Sequence, residues 1–512
     1  MSNRERKVVK GILGVRKSPH RQVLLFGRYS DPLPSDDSDD SDYEPNEEEK
    51  TSVNKINARK VKNREKHDKA REVEKQSSSL VNSKRRKVDS TDVTVSKLTA
   101  ASNAWSDLIP SEVILHIFFY CVETQGTVPL LSRLSRVCRR WNILAKEPKL
   151  YRKMDLSCFG KYNIATDSLI KQLVQRGLSG VEEISLDGWI KLSDKGVKVL
   201  AKNCKNLKSI SLSNCEGVSP KVSSIMADHC SCLSSIDISG TKVDHNSLRN
   251  LLSQHGHKLN EIVLRNCKGF PGSSILPMIQ EFCPNLVHLD ISGTPVRQIK
   301  IEQLQEKCSK LKNLQLANLV LQPSYSRTAK MGPHHGFDDL EQLSLACGFQ
   351  GSLSVNDTLI SRLLKTSCFL RVLDIRGCTH ISKNAIQGLC TTSLGSLYLG
   401  NTNAKQPMVE MIVNKWRTSL RHLDLSYNPS IRDDTMALFE RFLLPNLTSL
   451  DLTSTGVSIT GVGFVVKSCP KLQNLNLSTC RGIPRGFKHS HKDEQLVRLK
   501  RQIMTGTFEQ ED

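Results

Sequence analysis

From Val181 to Cys480 the chain repeats a single pattern of apolar and polar positions. Leu207, Ile210 and Leu212 set it out, and Leu233, Ile236 and Ile238, then Leu259, Ile262 and Leu264, then Leu286, Leu289 and Ile291 follow at nearly the same spacing. The series continues from Leu311, Leu340, Leu370, Leu394, Leu420, Leu447 and Leu472, which with Val181 makes twelve starts 24 to 30 residues apart. Apolar residues at the first, fourth and sixth places make a short strand whose apolar side faces inward while the intervening residues face out. The other half of each unit has helical spacing, as in Val197, Leu200 and Ala201 ahead of Cys204, or Val462 and Val466 ahead of Cys469. Such a unit cannot bury both faces alone, so the units must stack, and the predicted fold is an α/β solenoid of about twelve repeats.

Eight places past each start stands Cys215, Cys267, Cys378 or Cys480 in four units, Thr241, Thr294, Thr402 or Thr455 in four more, and Asn428 in one. Small polar side chains there suit a structural ladder that satisfies turn backbone groups. Cys204, Cys230, Cys283, Cys308 and Cys469 each precede the next start by three residues and read as core positions at helix ends. Nine of the sixteen cysteines thus follow the repeat, and free, buried thiols in a reducing compartment are expected. Cys230 and Cys232 have no matching Cys/His pair nearby, so no metal site is assigned.

The outward row between the last two apolar places of each strand runs Ser185, Ser211, Asp237, Val263, Asp290, Gln315, Ser344, Asp374, Tyr398, Asp424, Asp451 and Asn476. Five aspartates without a base make Asp237, Asp290, Asp374, Tyr398, Asp424 and Asp451 the candidate substrate contacts for a basic segment, with a purely scaffolding role for the aspartates as the alternative. Between Leu311 and Leu340 the rhythm breaks. Residues 322–336 are turn-rich and predict a loop in place of a helix, a second candidate for partner contact. His334 and His335 lack further ligands and are not a metal site.

Upstream, residues 105–156 have a different period. Pro110 is placed at the first helical position and Glu112 in the first turn, where the helix dipole favours a carboxylate. Val113, Ile114, Ile117, Phe118 and Cys121 recur at helical spacing, as do Leu130, Leu131, Leu134, Val137, Cys138 and Trp141. About fifty residues with this much apolar surface exceed what one small core hides, so a partner or the next domain must cover the remainder.

Ile109, Pro110, Glu112, Ile117, Phe118, Val137, Cys138 and Trp141 together resemble the F-box, and the units after it are similar to the cysteine-containing class of leucine-rich repeat that follows the F-box in one group of receptors. Ile109 stands where the family has Leu, Tyr151 where it has a late Trp, and the loop from Val122 to Val128 is longer than the minimal one. The resemblance implies that these eight residues dock a Skp-type adaptor and, through it, cullin and RING subunits. It implies a horseshoe whose concave sheet recruits a protein substrate for ubiquitination. The expected role is a non-catalytic substrate receptor, with no cofactor.

The remaining composition changes this picture little. Residues 1–100 contain no Cys or Trp and are rich in charge and Ser, a composition that predicts a disordered arm. Asp31 to Glu49 holds ten acidic and no basic residues; Lys50 to Lys87 holds fourteen basic and four acidic. Lys84, Arg85, Arg86 and Lys87 form a basic cluster of the nuclear-localisation kind, and Ser38 and Ser41 lie in acidic surroundings that suit phosphorylation. No apolar run reaches membrane-spanning length, so a nuclear and/or cytoplasmic protein is expected. The net charge of +21 admits a second reading, a nuclear scaffold touching nucleic acid, but 5% aromatic residues and dispersed bases supply no stacking platform. No phosphate-cradling loop, metal cluster or activated nucleophile is legible, which argues against an enzyme. The expected divisions are an arm (1–100), an F-box (105–156), a linker or N-terminal cap (157–180), repeats (181–480) and a basic C-terminal tail or cap (481–512).

Overall fold

A computed structural model describes residues 109–506 apart from 161–164, 176–177, 271–274, 320–335 and 349–354. The arm, the basic cluster at Lys84 to Lys87, Ser38, Ser41 and nearly all of the 322–336 loop therefore lie outside the described residues.

Short strands of three residues pair in chain order into one fourteen-stranded sheet. Their register aligns the expected outward row, since Ser211 pairs with Asp237, Asp237 with Val263, Asp374 with Tyr398, and Asp424 with Asp451, but Asp290, Gln315, Ser344, Asp374 and Asp424 in it are buried. The middle residue of each strand, such as Ile210, Ile236, Leu397 or Leu423, points inward and is buried. Helices return the chain along the other side: Asp194–Asn203 buries Val197 and Leu200, and Gln406–Trp416 buries Val409, Ile412 and Trp416. All of these join one continuous apolar core, as stacking requires.

Two polar ladders fix the stacking. The thiols of Cys215, Cys267, Cys378 and Cys480 donate to Leu186 O, Ile238 O, Leu345 O and Leu452 O, each the strand-end carbonyl of the unit before. Thr241, Thr294, Thr402 and Thr455 instead donate to the strand end of their own unit. Asn428 does both, donating to Leu399 O and Leu425 O. On the helical side, Asp167, Asp194, Asp357 and Asp433 in helix first turns accept from the backbone N–H of Ser193, Ser219, Ser382 and Ser458 of the next unit. Burial pushes the thiols of Cys230, Cys283 and Cys469 up to about 12, so they remain protonated at neutral pH.

Four sequence expectations need correction. The sheet does not begin at Val181: strand β1, Lys153–Asp155, already pairs in parallel with Glu183–Ser185. Tyr151, Met154 and Leu156 therefore follow the repeat pattern, and residues 157–180 with helix Asp167–Gln175 complete a thirteenth parallel unit where a linker or cap was expected. Pro110 is the N-cap of helix α1, Ser111–Gln125, and not its first residue. The second apolar run of the upstream module is not one helix. It breaks at Ser135–Cys138 into α2, Leu130–Leu134, and α3, Arg139–Leu144, because the Cys138 thiol caps α3 by accepting from Trp141 N. Finally, the thiols are not all free, since a disulfide joins Cys368 and Cys390 across a Cα separation of 5.0 Å.

At the far end, strand Ser490–Lys492 pairs antiparallel with Asn474–Asn476, and helix Asp493–Thr505 buries Leu496 and Leu499. The tail thus covers the edge of the last unit. Within the array, helices Ile301–Lys307 and Asp357–Leu364 belong to units on either side of the one starting at Leu311. They meet directly, through Arg362 on both Glu302 oxygens at 2.6 and 2.8 Å and Gln305 Nε2 on Arg362 O at 2.8 Å.

The chain leaves nearly every strand through a left-handed residue, seven places past the start. Gly or Asn fills it in eight units, for example Gly377 at φ +75° and Asn401 at +54°; Tyr427 at +55° is the bulky exception. Left-handed backbone costs an L-residue about 1–2 kcal/mol, least for Asn and nothing for Gly. Tyr427→Asn is expected to raise the thermal midpoint, by the equivalent of about 1 kcal/mol. Gly377→Ala is expected to lower it, by about 2 kcal/mol or more, because its Cβ would overlap Cys347 O as well. Thermal denaturation of the two variants checks both signs.

Candidate functional site

The upstream module packs its own small core. Ile114 and Phe118 of α1 meet Leu131, Ala145 and Leu150, and Trp141 stands edge-on to Phe118 with ring centroids 5.1 Å apart. The Arg140 guanidinium holds the start of α1, donating to Ile109 O at 2.6 Å and Ser111 Oγ at 3.0 Å. Tyr151 packs against both this core and that of the solenoid, and its hydroxyl donates to Ala145 O at 2.8 Å. The long loop after α1 lies against the sheet: Thr127 is buried and donates to Lys153 O, the first residue of β1. The module is therefore fused to the first strand, with both unusual features, Tyr151 and the loop, at the seam.

What remains uncovered is a stripe. Val113, Ile117 and Tyr120, at helical spacing on α1, are 47%, 46% and 70% exposed, and Val137 and Ile143 are exposed as well. These contiguous apolar positions on α1 face solvent opposite Ile114 and Phe118. A solvent-facing apolar stripe of this kind marks a protein interaction site.

Residues 106–157 match the F-box-like family, and residues 418–436 match a leucine-rich-repeat family. The chain carries an F-box-like domain followed by leucine-rich repeats. Among solved structures, the yeast Rad7 and Elc1 complex contains a chain of similar fold, with a TM-score of 0.51 and 16% identity over 77% of this chain and 96% of that one. A leucine-rich-repeat protein of Leptospira interrogans matches with a TM-score of 0.40 and 17% identity, covering 66% and 81% of the two chains. An internalin of Listeria monocytogenes matches at 0.35 and 16%, covering 59% and 82%.

The F-box-like domain sorts the eight residues expected to dock an adaptor into two groups. Pro110, Glu112, Ile117, Val137 and Cys138 are exposed and Ile109 is half-buried, whereas Phe118 is wholly buried and Trp141 is half-buried against it. Phe118 is a core residue and not a contact. Val113, Tyr120 and Ile143 are exposed apolar residues outside that set. Apolar residues at 113, 114, 117 and 118 span too much of the helix circumference for one partner, which means two faces.

On the sheet, the aspartates of the outward row are engaged locally. The carboxylates of Asp237, Asp290, Asp424 and Asp451 each accept from the backbone N–H two residues on, at Ser239, Ser292, Ser426 and Thr453. Arg265 donates to Asp290, and Arg376 forks both oxygens of Asp374 while its guanidinium lies 5.3 Å from the Tyr398 ring centre. The next row over supplies a base to two of the five, Asp290 and Asp374, while Asp237, Asp424 and Asp451 are held by backbone N–H groups. The scaffolding alternative accounts for these contacts.

Asp424 stands apart energetically. Burial, with the like charge of Asp451 beside it, pushes its carboxyl up to about 6 from an ordinary 3.8. A raised carboxyl pKa means that the folded state holds the proton more tightly, so this group's stabilisation is complete below about pH 4 and lost as pH rises through about 6. Asp424→Asn, which keeps the acceptor for Ser426 N without the charge, is expected to stabilise the protein at pH 7.5 by up to about 3 kcal/mol and to be nearly neutral at pH 4. Thermal midpoints of the two proteins across pH 4 to 8 check the sign.

Proposed function

We propose that this protein is the substrate-recognition subunit of an SCF-type cullin-RING ubiquitin ligase. The F-box-like domain holds a Skp-type adaptor, and through it cullin and RING subunits, while the repeat sheet holds a protein substrate. The receptor supplies no covalent chemistry. By fixing substrate beside a ubiquitin-charged partner it converts an encounter into a positioned reaction. The observation that carries this reading is the bare stripe of Val113, Ile117 and Tyr120 on a helix whose opposite side is fully packed.

Fusion of the domain to β1 through Tyr151 and Thr127 supports it further, since proximity requires a stiff link between adaptor and substrate. Such a receptor acts in the nucleus and/or the cytoplasm, with the basic cluster at Lys84 to Lys87 as its import signal.

The full chain carrying Val113→Glu and Ile117→Glu is expected to retain a purified Skp-type adaptor about tenfold less well or worse, a loss of at least about 1.4 kcal/mol. Its thermal midpoint should be unchanged. Phe118→Ala, in contrast, should lower stability by about 3–5 kcal/mol. Undiminished adaptor retention by the double variant would overturn the proposal.

A further inference from the structure

The residue just after each unit's first apolar position lies at the edge where the strands begin, and these residues are joined through their backbones. Arg152, Glu182 and Lys208 are consecutive there: Glu182 N donates to Arg152 O and Lys208 N to Glu182 O. Their side chains form a sandwich, with Arg152 donating to both Glu182 oxygens at 2.8 and 2.9 Å and Lys208 Nζ to Oε2 at 3.0 Å. The two bases hold the central carboxyl down at about 2. Six units on, the arrangement recurs, with Glu341 between Lys312 at 3.3 Å and Arg371 at 4.0 Å.

The next triplet is Arg371, Gly395 and Arg421, again consecutive by backbone hydrogen bonds from Gly395 N to Arg371 O and Arg421 N to Gly395 O. Both bases are present, and the central acid is gone. Arg371 and Arg421 stand two strands apart, roughly 10 Å at the usual strand spacing. Both are exposed, and Arg421 makes no ion pair among the described residues.

The backbone does not demand Gly395. Its φ is not left-handed, and a Cβ there would meet only Arg371 O at 3.6 Å and Ser419 O at 4.0 Å, ordinary contacts. Glycine weakens a strand and often marks a place that another group approaches closely. At the next position along the strands, Val372 and Ser396 are uncharged, and burial beside Arg421 depresses the pKa of His422, keeping it neutral at pH 7. No carboxylate from that row competes for the two guanidinium groups, and the Glu341 carboxylate on the other side of Arg371 is 4.0 Å away.

We propose that Arg371, Gly395 and Arg421 form a receptor for an acidic side chain of an extended protein partner, whose carboxylate takes the place that Glu182 and Glu341 hold in the other two sandwiches. This deepens the reading of the sheet as the substrate-recruiting face and rests on it. It replaces the expectation of a basic partner at this part of the sheet with an acidic one.

The test uses the full chain and a fluorescein-labelled twelve-residue peptide of alternating Ser and Glu, its Gln twin, and a twin with phosphoserine in place of Glu. The Glu peptide should bind, the Gln peptide should not, and Arg421→Ala and Gly395→Glu should each weaken binding by about tenfold or more. Gly395→Glu should also raise the thermal midpoint by completing the third sandwich, and the rise should vanish when Arg371 and Arg421 are both Ala. Gly395→Ala should leave the midpoint unchanged or higher.

Failure of the Glu peptide to bind, or equal binding by wild type and Gly395→Glu, overturns the proposal. Binding of the phosphoserine peptide about tenfold or more tighter than the Glu peptide overturns the carboxylate in favour of phosphate. Adaptor retention by the same variants is read separately, and its loss would count against the ligase assignment alone.

Discussion

Each unit of the solenoid must carry its chain out of a three-residue strand and into the convex layer without leaving a buried carbonyl unpaired. That requirement governs the array. The strand-end carbonyl accepts from a cysteine of the following unit, as Leu186 O does from Cys215, from a threonine of its own, as Ile291 O does from Thr294, or from both, as Ile238 O does from Cys267 and Thr241. The same carbonyls also accept from the backbone three residues on, as Leu186 O does from Trp189 N and Ile238 O from Thr241 N, so the side chain fills the second lone pair and, where it is a cysteine, ties one unit to the next. The identity of the ladder residue is therefore a constraint of stacking. The same turn demands a left-handed residue, and only Tyr427 meets that demand with a large side chain.

The F-box-like domain depends on this array as much as it precedes it. Its helices enclose too few residues for an independent core of any size, and Tyr151 belongs equally to its core and to that of the solenoid. Because Thr127 and Tyr151 fasten the domain to β1, the apolar stripe on α1 and the sheet are joined by packed contacts. The apolar excess of the domain is thereby divided: one face of α1 packs the domain's own core, and the Val113, Ile117 and Tyr120 face remains exposed.

On the sheet, the aspartates of one row are held at different cost. Asp290 and Asp374 are neutralised by arginines of the neighbouring row, whereas Asp424 keeps its charge at neutral pH only against its burial. The edge row shows the converse, a favourable arrangement made twice from internal charges and left incomplete once, at Gly395.

Much was legible in the residues alone, because repetition supplies its own control. Twelve starts at regular spacing carried the sheet order, the outward row and the cysteine ladder, since period and burial are local consequences of sequence. The F-box anchors were legible as a set in order, Pro110 through Trp141. The faces were not. Whether Phe118 or Ile117 meets a partner depends on which side of α1 the α2 and α3 helices cover, and α3 is set by the Cys138 cap that no period reveals. The first unit hid behind Tyr151 and Met154, which replace the usual leucine and isoleucine, and only pairing with Glu183–Ser185 exposed it. The acidic row looked bare because its counterions, Arg265 and Arg376, lie on a neighbouring row, and charge pairing across strands is a property of register and side-chain reach. Sequence determined what each unit is; contact between units decided which of its groups remain free to bind.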